Sequence, residues 1–181
     1  MKYTLLSGGV RKNSSNKKLS NYVYSYLNNQ DSIEVDLFDN LVKDVPFVSE
    51  AEQELPEILN PVRNSLITAE KVIVFSPILN GGYASSIKNA LDWLSLSFDS
   101  YKYNDLYKDK KVAIICSVLG GGGNSLDARN MLSMQLEKYG FTTFNESYLF
   151  KNAEEQIIEL KNKSSSPHKA LTGFLNRFIE F

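Results

Sequence analysis

Five short apolar runs, most of them rich in β-branched residues, punctuate this chain at Lys2–Leu6, Ser32–Phe38, Lys71–Phe75, Lys111–Cys116 and Thr142–Leu149. Between them, hydrophobic residues recur at helical spacing. That alternation is the mark of β-α-β units closing a parallel sheet, because parallel neighbours need a crossover long enough to be a helix. Ser15–Leu27 sets Leu19, Tyr22, Val23 and Leu27 on one face behind a Ser14 or Ser15 cap, and Ser85–Leu96 does the same with Ile87, Ala90, Leu91 and Leu94. Ile58–Ala69, Leu126–Tyr139 and Glu154–Lys161 read as further helices, and a Ser-rich break at Ser164–Pro167 precedes a terminal helix that buries Leu171, Phe174, Leu175 and Phe178. Val45–Pro56 and Phe98–Tyr107 lack a clean period and read as irregular excursions. Right-handed crossovers and the doubly wound habit predict an α/β three-layer sandwich whose five-stranded parallel sheet runs in the order 2-1-3-4-5. A length of 181 residues with 43% hydrophobic side chains fits one domain over residues 1–181.

Charge and cysteine usage exclude several classes of function. A net charge of -1 lacks the surplus of Lys and Arg that a nucleic-acid or membrane-surface partner requires. Basic residues do gather at Arg11, Lys12, Lys17 and Lys18, a cluster suited to one phosphate group or to a solvated helix start. Cys116 is the single cysteine, so no internal disulfide forms, and its apolar run makes it a small core residue rather than a nucleophile. Met1 leads directly into strand-like sequence without the features of a signal peptide, and no apolar run is long enough to span a bilayer, so a cytoplasmic location is expected. No His, Cys or carboxylate cluster has metal-ligand spacing. His168, beside Pro167, stands alone in sequence and is expected to take no catalytic part.

Three polar loops follow apolar runs: Ser7–Asn16, Pro77–Tyr83 and Ser117–Asn124. In a parallel sheet all three emerge at the carboxyl edge, where open α/β sheets bind ligands, and strands one and three diverge there into a crevice. A triphosphate loop would end in Gly-Lys-Ser or Gly-Lys-Thr, and the corresponding positions are Asn13-Ser14-Ser15. The three spaced glycines of a dinucleotide fingerprint are also missing after Gly8-Gly9. The first loop instead offers Ser7, Ser14, Ser15 and Asn16 as polar groups, Arg11 as a cation, and the N–H groups of a helix start, which suits one dianionic phosphate. The other two loops offer backbone amides at Leu79–Gly82 and Gly120–Asn124, a lining for a flat, polar-edged heterocycle. Phosphate at one end and heterocycle at the other describe FMN.

These motifs resemble those of the NAD(P)H-dependent FMN reductases of flavodoxin-like fold, a group that includes quinone, azo-dye and chromate reductases. Gly8, Arg11, Ser14, Asn16 and Leu19 match the family's phosphate loop; Pro77, Asn80, Gly81 and Tyr83 match its second motif; Lys88-Asn89-Ala90-Leu91-Asp92-Trp93 matches the helix that follows; and Ser117 with Gly120–Gly123 matches the third loop. The chain departs from the pattern at Gly9, where a hydroxyl residue is usual, at Ile78 and Leu79, and at Ala84. The resemblance implies FMN as cofactor, held by Ser7, Gly9, Arg11, Ser14, Ser15, Asn16, Pro77, Ile78, Leu79, Asn80, Gly81, Ser117, Gly120, Gly121, Gly122 and Gly123, with NADPH or NADH as co-substrate. It also implies a homodimer or homotetramer, with Asn89, Asp92 and Trp93 on a segment that helps to form it.

The expected activity is therefore ping-pong hydride transfer from NADPH or NADH to a flavin, quinone, azo compound or similar small acceptor. The flavin carries the chemistry and no side-chain acid or base is obligatory. Two alternatives stay open. A flavodoxin-type electron carrier is disfavoured by near-neutral charge, since such carriers are strongly acidic; a flavin-binding protein without turnover is suggested by Leu79 and Gly9. Tyr83 either anchors a helix start or lies beside the ring. Phe98, Tyr101, Tyr103 and Tyr107 either wall a partner's pocket or pack beneath a loop, and Trp93 with Leu94 is expected to present an apolar interface.

Overall fold

The computed structural model describes residues 1–9, 11–39, 41, 45–49 and 54–181. Strands β1 (Lys2–Ser7), β2 (Glu34–Phe38), β3 (Lys71–Leu79), β5 (Lys111–Ser117) and β6 (Thr142–Phe150) form a parallel sheet in the order β2-β1-β3-β5-β6. This is the predicted 2-1-3-4-5 arrangement of a flavodoxin-like fold, with one added ribbon. The two-residue β4 (Gly82–Tyr83) folds back antiparallel on the end of β3, pairing Ile78 with Tyr83 and Leu79 with Gly82. Asn80 and Gly81 form the turn, with φ of 49° and 79°. Two consecutive positive φ values suit a two-residue hairpin, and Asn-Gly is the dipeptide that adopts them most cheaply. The second polar loop is thus a rigid hairpin tip rather than an open loop.

Strand residues alternate between two cores because successive side chains point to opposite faces. Val72 and Val74 of β3 join Leu6, Ile114 and Cys116 on one face; Ile73 and Phe75 join Tyr3, Leu5, Ala113 and Ile115 on the other. The first face is covered by α2 (Asn60–Thr68), α3 (Ser85–Ser95) and α4 (Ser125–Tyr139) through Val62, Leu66, Ile87, Leu91, Leu132 and Leu136. The second is covered by α1 (Ser15–Asn28), α5 (Ala153–Glu159) and α6 (Ser166–Glu180) through Leu19, Val23, Leu27, Ala153, Leu171, Phe174, Leu175 and Phe178. Each of the Val, Leu, Ile and Phe side chains among them contributes about 1.5–3 kcal/mol by leaving water, less the cost of ordering it.

One expectation is corrected by this packing. Trp93 and Leu94 do not present an interface: they are 1% and 2% exposed within their own chain. The Trp93 indole N–H donates to the Pro46 carbonyl at 2.7 Å, and the Asn89 amide donates to the same oxygen at 2.8 Å. Asp92 accepts from the Tyr139 hydroxyl at 2.5 Å and pairs with Lys88. The aromatic segment is largely internal too: Phe98 stacks on Tyr101 at 4.7 Å, Tyr107 is fully buried with its hydroxyl donating to the Leu91 carbonyl, and only Tyr103 is well exposed. His168 is not alone either, lying 2.6 Å from the Tyr22 hydroxyl and so tying α6 to α1. The excursion expected over Val45–Pro56 lies partly outside the described residues.

Candidate functional site

At the carboxyl edge β1 has β2 on one side and β3 on the other, so the segments leaving β1 and β3 turn to opposite faces and a crevice opens between them. Arg11, Asn13, Ser14, Ser15 and Asn16 line it from the first loop and the start of α1. Pro77, Ile78 and Leu79 line it from the end of β3, Ser117, Val118 and Leu119 from the end of β5, and Glu154 from α5. The enclosed part is small, about 80 Å³, so this is an open cleft rather than a sealed cavity.

The first loop is tightly built. The Gly8 amide donates to the Phe75 carbonyl at 2.9 Å, fastening the end of β1 to β3, and the Ser86 hydroxyl donates back to the Gly8 carbonyl. Ser14 caps α1, its hydroxyl accepting from the Asn16 amide at 3.2 Å, while its own amide donates to the Arg11 carbonyl. Part of the helix-start donor set expected for a phosphate is therefore already in use. What remains faces the cleft: the hydroxyl and amide of Ser15, and an Arg11 guanidinium with no hydrogen-bond or ion-pair partner among the described residues. The Asn16 side chain, 1% exposed, donates to the Ser117 hydroxyl at 2.8 Å and so links the first loop to the third.

The third loop is anchored from β6. Val118 donates to the Phe150 carbonyl, and Asn152 and Ala153 donate to the carbonyls of Gly120 and Val118. No atom stands within 4 Å of where a side chain would begin at Gly120, Gly121 or Gly123, leaving that backbone open to close approach.

The cleft thus gathers Arg11, Ser14, Ser15, Asn16, Pro77, Ile78, Leu79 and Ser117 of the sequence-predicted set. Ser7, Gly9, Asn80, Gly81 and Gly120–Gly123 stand outside the wall itself. Ser7 is buried with an unpartnered hydroxyl, Gly9 packs against Ser14, Asn80–Gly81 is the hairpin tip, and Gly120–Gly123 continue past Leu119 at the rim. Tyr83 is absent from the lining; it is half-buried beside β3, where burial pushes its phenol above the ordinary value. Sequence reasoning passed over Glu154, which no motif marks. Cys116 is buried beneath the site with its thiol pushed up to about 12 by burial, and is not a nucleophile there.

The donor set fits a phosphorylated flavin. Arg11, with no partner among the described residues, stands beside a helix N-terminus; the buried Ser7 hydroxyl, likewise without a partner among them, can donate; and a glycine backbone lies open at the far end. The sequence profile of the NADPH-dependent FMN reductases matches residues 1–155. The chain belongs to that family. It is thus an oxidoreductase of the NADPH-dependent FMN reductase type. A curated relative, an NADPH azoreductase from Bacillus sp. (strain OY1-2), is 25% identical over 138 residues, which span 75% of this chain and 68% of the relative. Among solved structures, the flavoenzyme NAD(P)H:acceptor oxidoreductase FerB from Paracoccus denitrificans superposes with a TM-score of 0.75 at 23% identity, covering 99% of this chain and 95% of its own. The apo form of an NADH:FMN oxidoreductase, EMOB, gives the same TM-score at 14% identity, covering 98% and 87%. No described helix is long and apolar enough to cross a membrane.

Proposed function

We propose that the cleft between β1 and β3 holds FMN, that NADPH or NADH supplies the reducing equivalents, and that a flavin, quinone, azo compound or similar small molecule accepts them. The observation that carries this is the meeting of Arg11, which has no partner among the described residues, with the start of α1 and the ends of β3 and β5 around one open cleft. FMN, when bound, supplies the redox chemistry, taking a hydride equivalent from nicotinamide and passing it to the acceptor.

The chain's own part is to bind and orient. Arg11 and Ser15 hold the phosphate end, on a loop set by the Ser14 cap and the Asn16–Ser117 link, with the α1 dipole favouring its negative charge. Pro77, Ile78 and Leu79, stiffened by the Asn80–Gly81 hairpin, wall one side of the ring, while Ser117 and the Gly120–Gly123 backbone donate to negative charge at its polar edge. Gly9 and Ser7 act by shaping the loop from beneath. The openness of the cleft leaves one face for nicotinamide and acceptor to use in turn. Self-association belongs to the same proposal, and its surface moves from α3 to the exposed apolar side chains of the third loop and α4, Leu119, Leu126, Met131 and Met134.

An absorption spectrum of the purified protein, followed by titration of FMN and riboflavin into wild type and Arg11→Ala, tests the placement. Arg11→Ala should weaken FMN by at least tenfold, as expected for a lost charge-assisted contact, and leave riboflavin nearly unchanged. Equal weakening of both would refute it. Parallel double-reciprocal lines with a quinone or azo acceptor would support alternation on one face; intersecting lines would overturn it.

A further inference from the structure

Among the described residues two charged side chains line the cleft, and they have opposite signs: Arg11 and Glu154. We infer that Glu154 is a specificity-determining residue whose carboxylate opposes Arg11 and limits how strongly the cleft prefers a phosphorylated ligand over an uncharged one. This inference rests on the cleft being the flavin site.

Glu154 lies in the first turn of α5, and the backbone around it is pinned to the third loop. Asn152 donates to the Gly120 carbonyl at 3.1 Å, Ala153 donates to the Val118 carbonyl at 3.0 Å, and the Ala153 side chain is fully buried. Glu154 thereby lines the same cleft as Leu119 and the residues that begin α1. Among the described residues it pairs with no cation and Arg11 pairs with no anion, so the two charges do not cancel by contact. Each acts separately on whatever enters. A dianionic phosphate at α1 gains from Arg11 and is repelled by Glu154, whereas an uncharged ribityl end feels neither strongly.

A carboxylate in the first turn of a helix also suits that helix's dipole, so Glu154 has a structural use as well. The two roles separate in a ratio. A change in fold stability affects both flavins alike, because both bind the same folded chain; a change in charge at the phosphate end affects FMN alone.

The experiment is titration of FMN and riboflavin into wild type, Glu154→Gln and Glu155→Gln, at low and high salt. Glu155 removes the same charge one residue away, but its side chain lines a different hollow with Lys151, Gln156 and Glu159. Glu154→Gln should raise the FMN-to-riboflavin affinity ratio about three- to tenfold at low ionic strength, an effect that shrinks toward 1 M salt as the screening length falls to about 3 Å. Glu155→Gln should leave the ratio within about twofold of wild type. An unchanged ratio in Glu154→Gln, or an equal rise in both variants, overturns the inference. Wild type that binds neither flavin overturns the flavin site itself.

Discussion

Replacing Gly9 by serine would give this chain the hydroxyl that its family usually carries at that position, and the structure argues that the change harms it. A Cβ built on Gly9 falls 2.4 Å from Ser14 Oγ, 2.9 Å from Ser14 Cβ and 3.4 Å from Asn16 Cβ. Backbone conformation is not the obstacle, since Gly9 is absent from the positive-φ glycines. Ser14 is. Rotating its hydroxyl away relieves the first contact but breaks the cap on the Asn16 amide, at about 0.5–2 kcal/mol. The contact with Cβ cannot be relieved by rotation, and such overpacking costs about 1–3 kcal/mol. Together these reach about 1.5–5 kcal/mol of lost fold stability, against about 1.5–3 kcal/mol for a hydrogen bond gained with a charged phosphate, which only the bound form collects and only if the added hydroxyl reaches it. Gly9→Ser should therefore lower the urea midpoint with an unchanged m-value and should not tighten FMN. In Gly9→Ser/Ser14→Gly, which clears both Ser14 atoms, the combined loss should be smaller than the sum of the two single losses. A Gly9→Ser variant as stable as wild type, with tighter FMN, would show that the loop yields freely and that the packing argument is wrong.

Cys116 should resist a thiol reagent at neutral pH in the native protein and react only in denaturant, because its thiol is buried and pushed up to about 12; rapid native labelling would contradict that. Trp93→Phe should cost about 1–2 kcal/mol, read by circular dichroism since this is the sole tryptophan, and the loss should not vary with protein concentration; a concentration-dependent loss would return Trp93 to an interface. Burial alone would raise the Asp36 carboxyl, but hydrogen bonds from the Ser65 hydroxyl and Lys2 outweigh it and hold the group below its ordinary value. A depressed folded value makes this contribution present above about pH 4 and lost as pH falls through the folded value. The stability gap between wild type and Asp36→Asn should narrow over that acid range, and a gap independent of pH would remove Asp36 from the account.

Local patterning in the chain was enough for the sheet and its order. Continuous apolar runs such as Val72–Phe75, separated by helices such as Ser85–Ser95, leave few right-handed ways to close a parallel sheet, and the switch point between the first and third strands follows from the order. That Arg11 and Ser14–Asn16 line the cleft was legible for the same reason, since a loop after the first strand must reach that edge. The Asn80–Gly81 hairpin was also present in sequence as an Asn-Gly pair, but its glycines suggested an open lining before the pairing of Leu79 with Gly82 was known. Other features required contacts between segments far apart in sequence. Trp93 looks like an exposed anchor until the Pro46 carbonyl takes its N–H, and Gly9 looks like a missing hydroxyl until Ser14 fills the space beside it. Glu154 enters the cleft only because β6 delivers α5 beside the third loop, 138 residues after Asn16 in the chain. Periodicity and turn chemistry act over a few residues and can be read along the chain; which polar group meets which cation depends on how distant elements pack, and tertiary structure alone decides that.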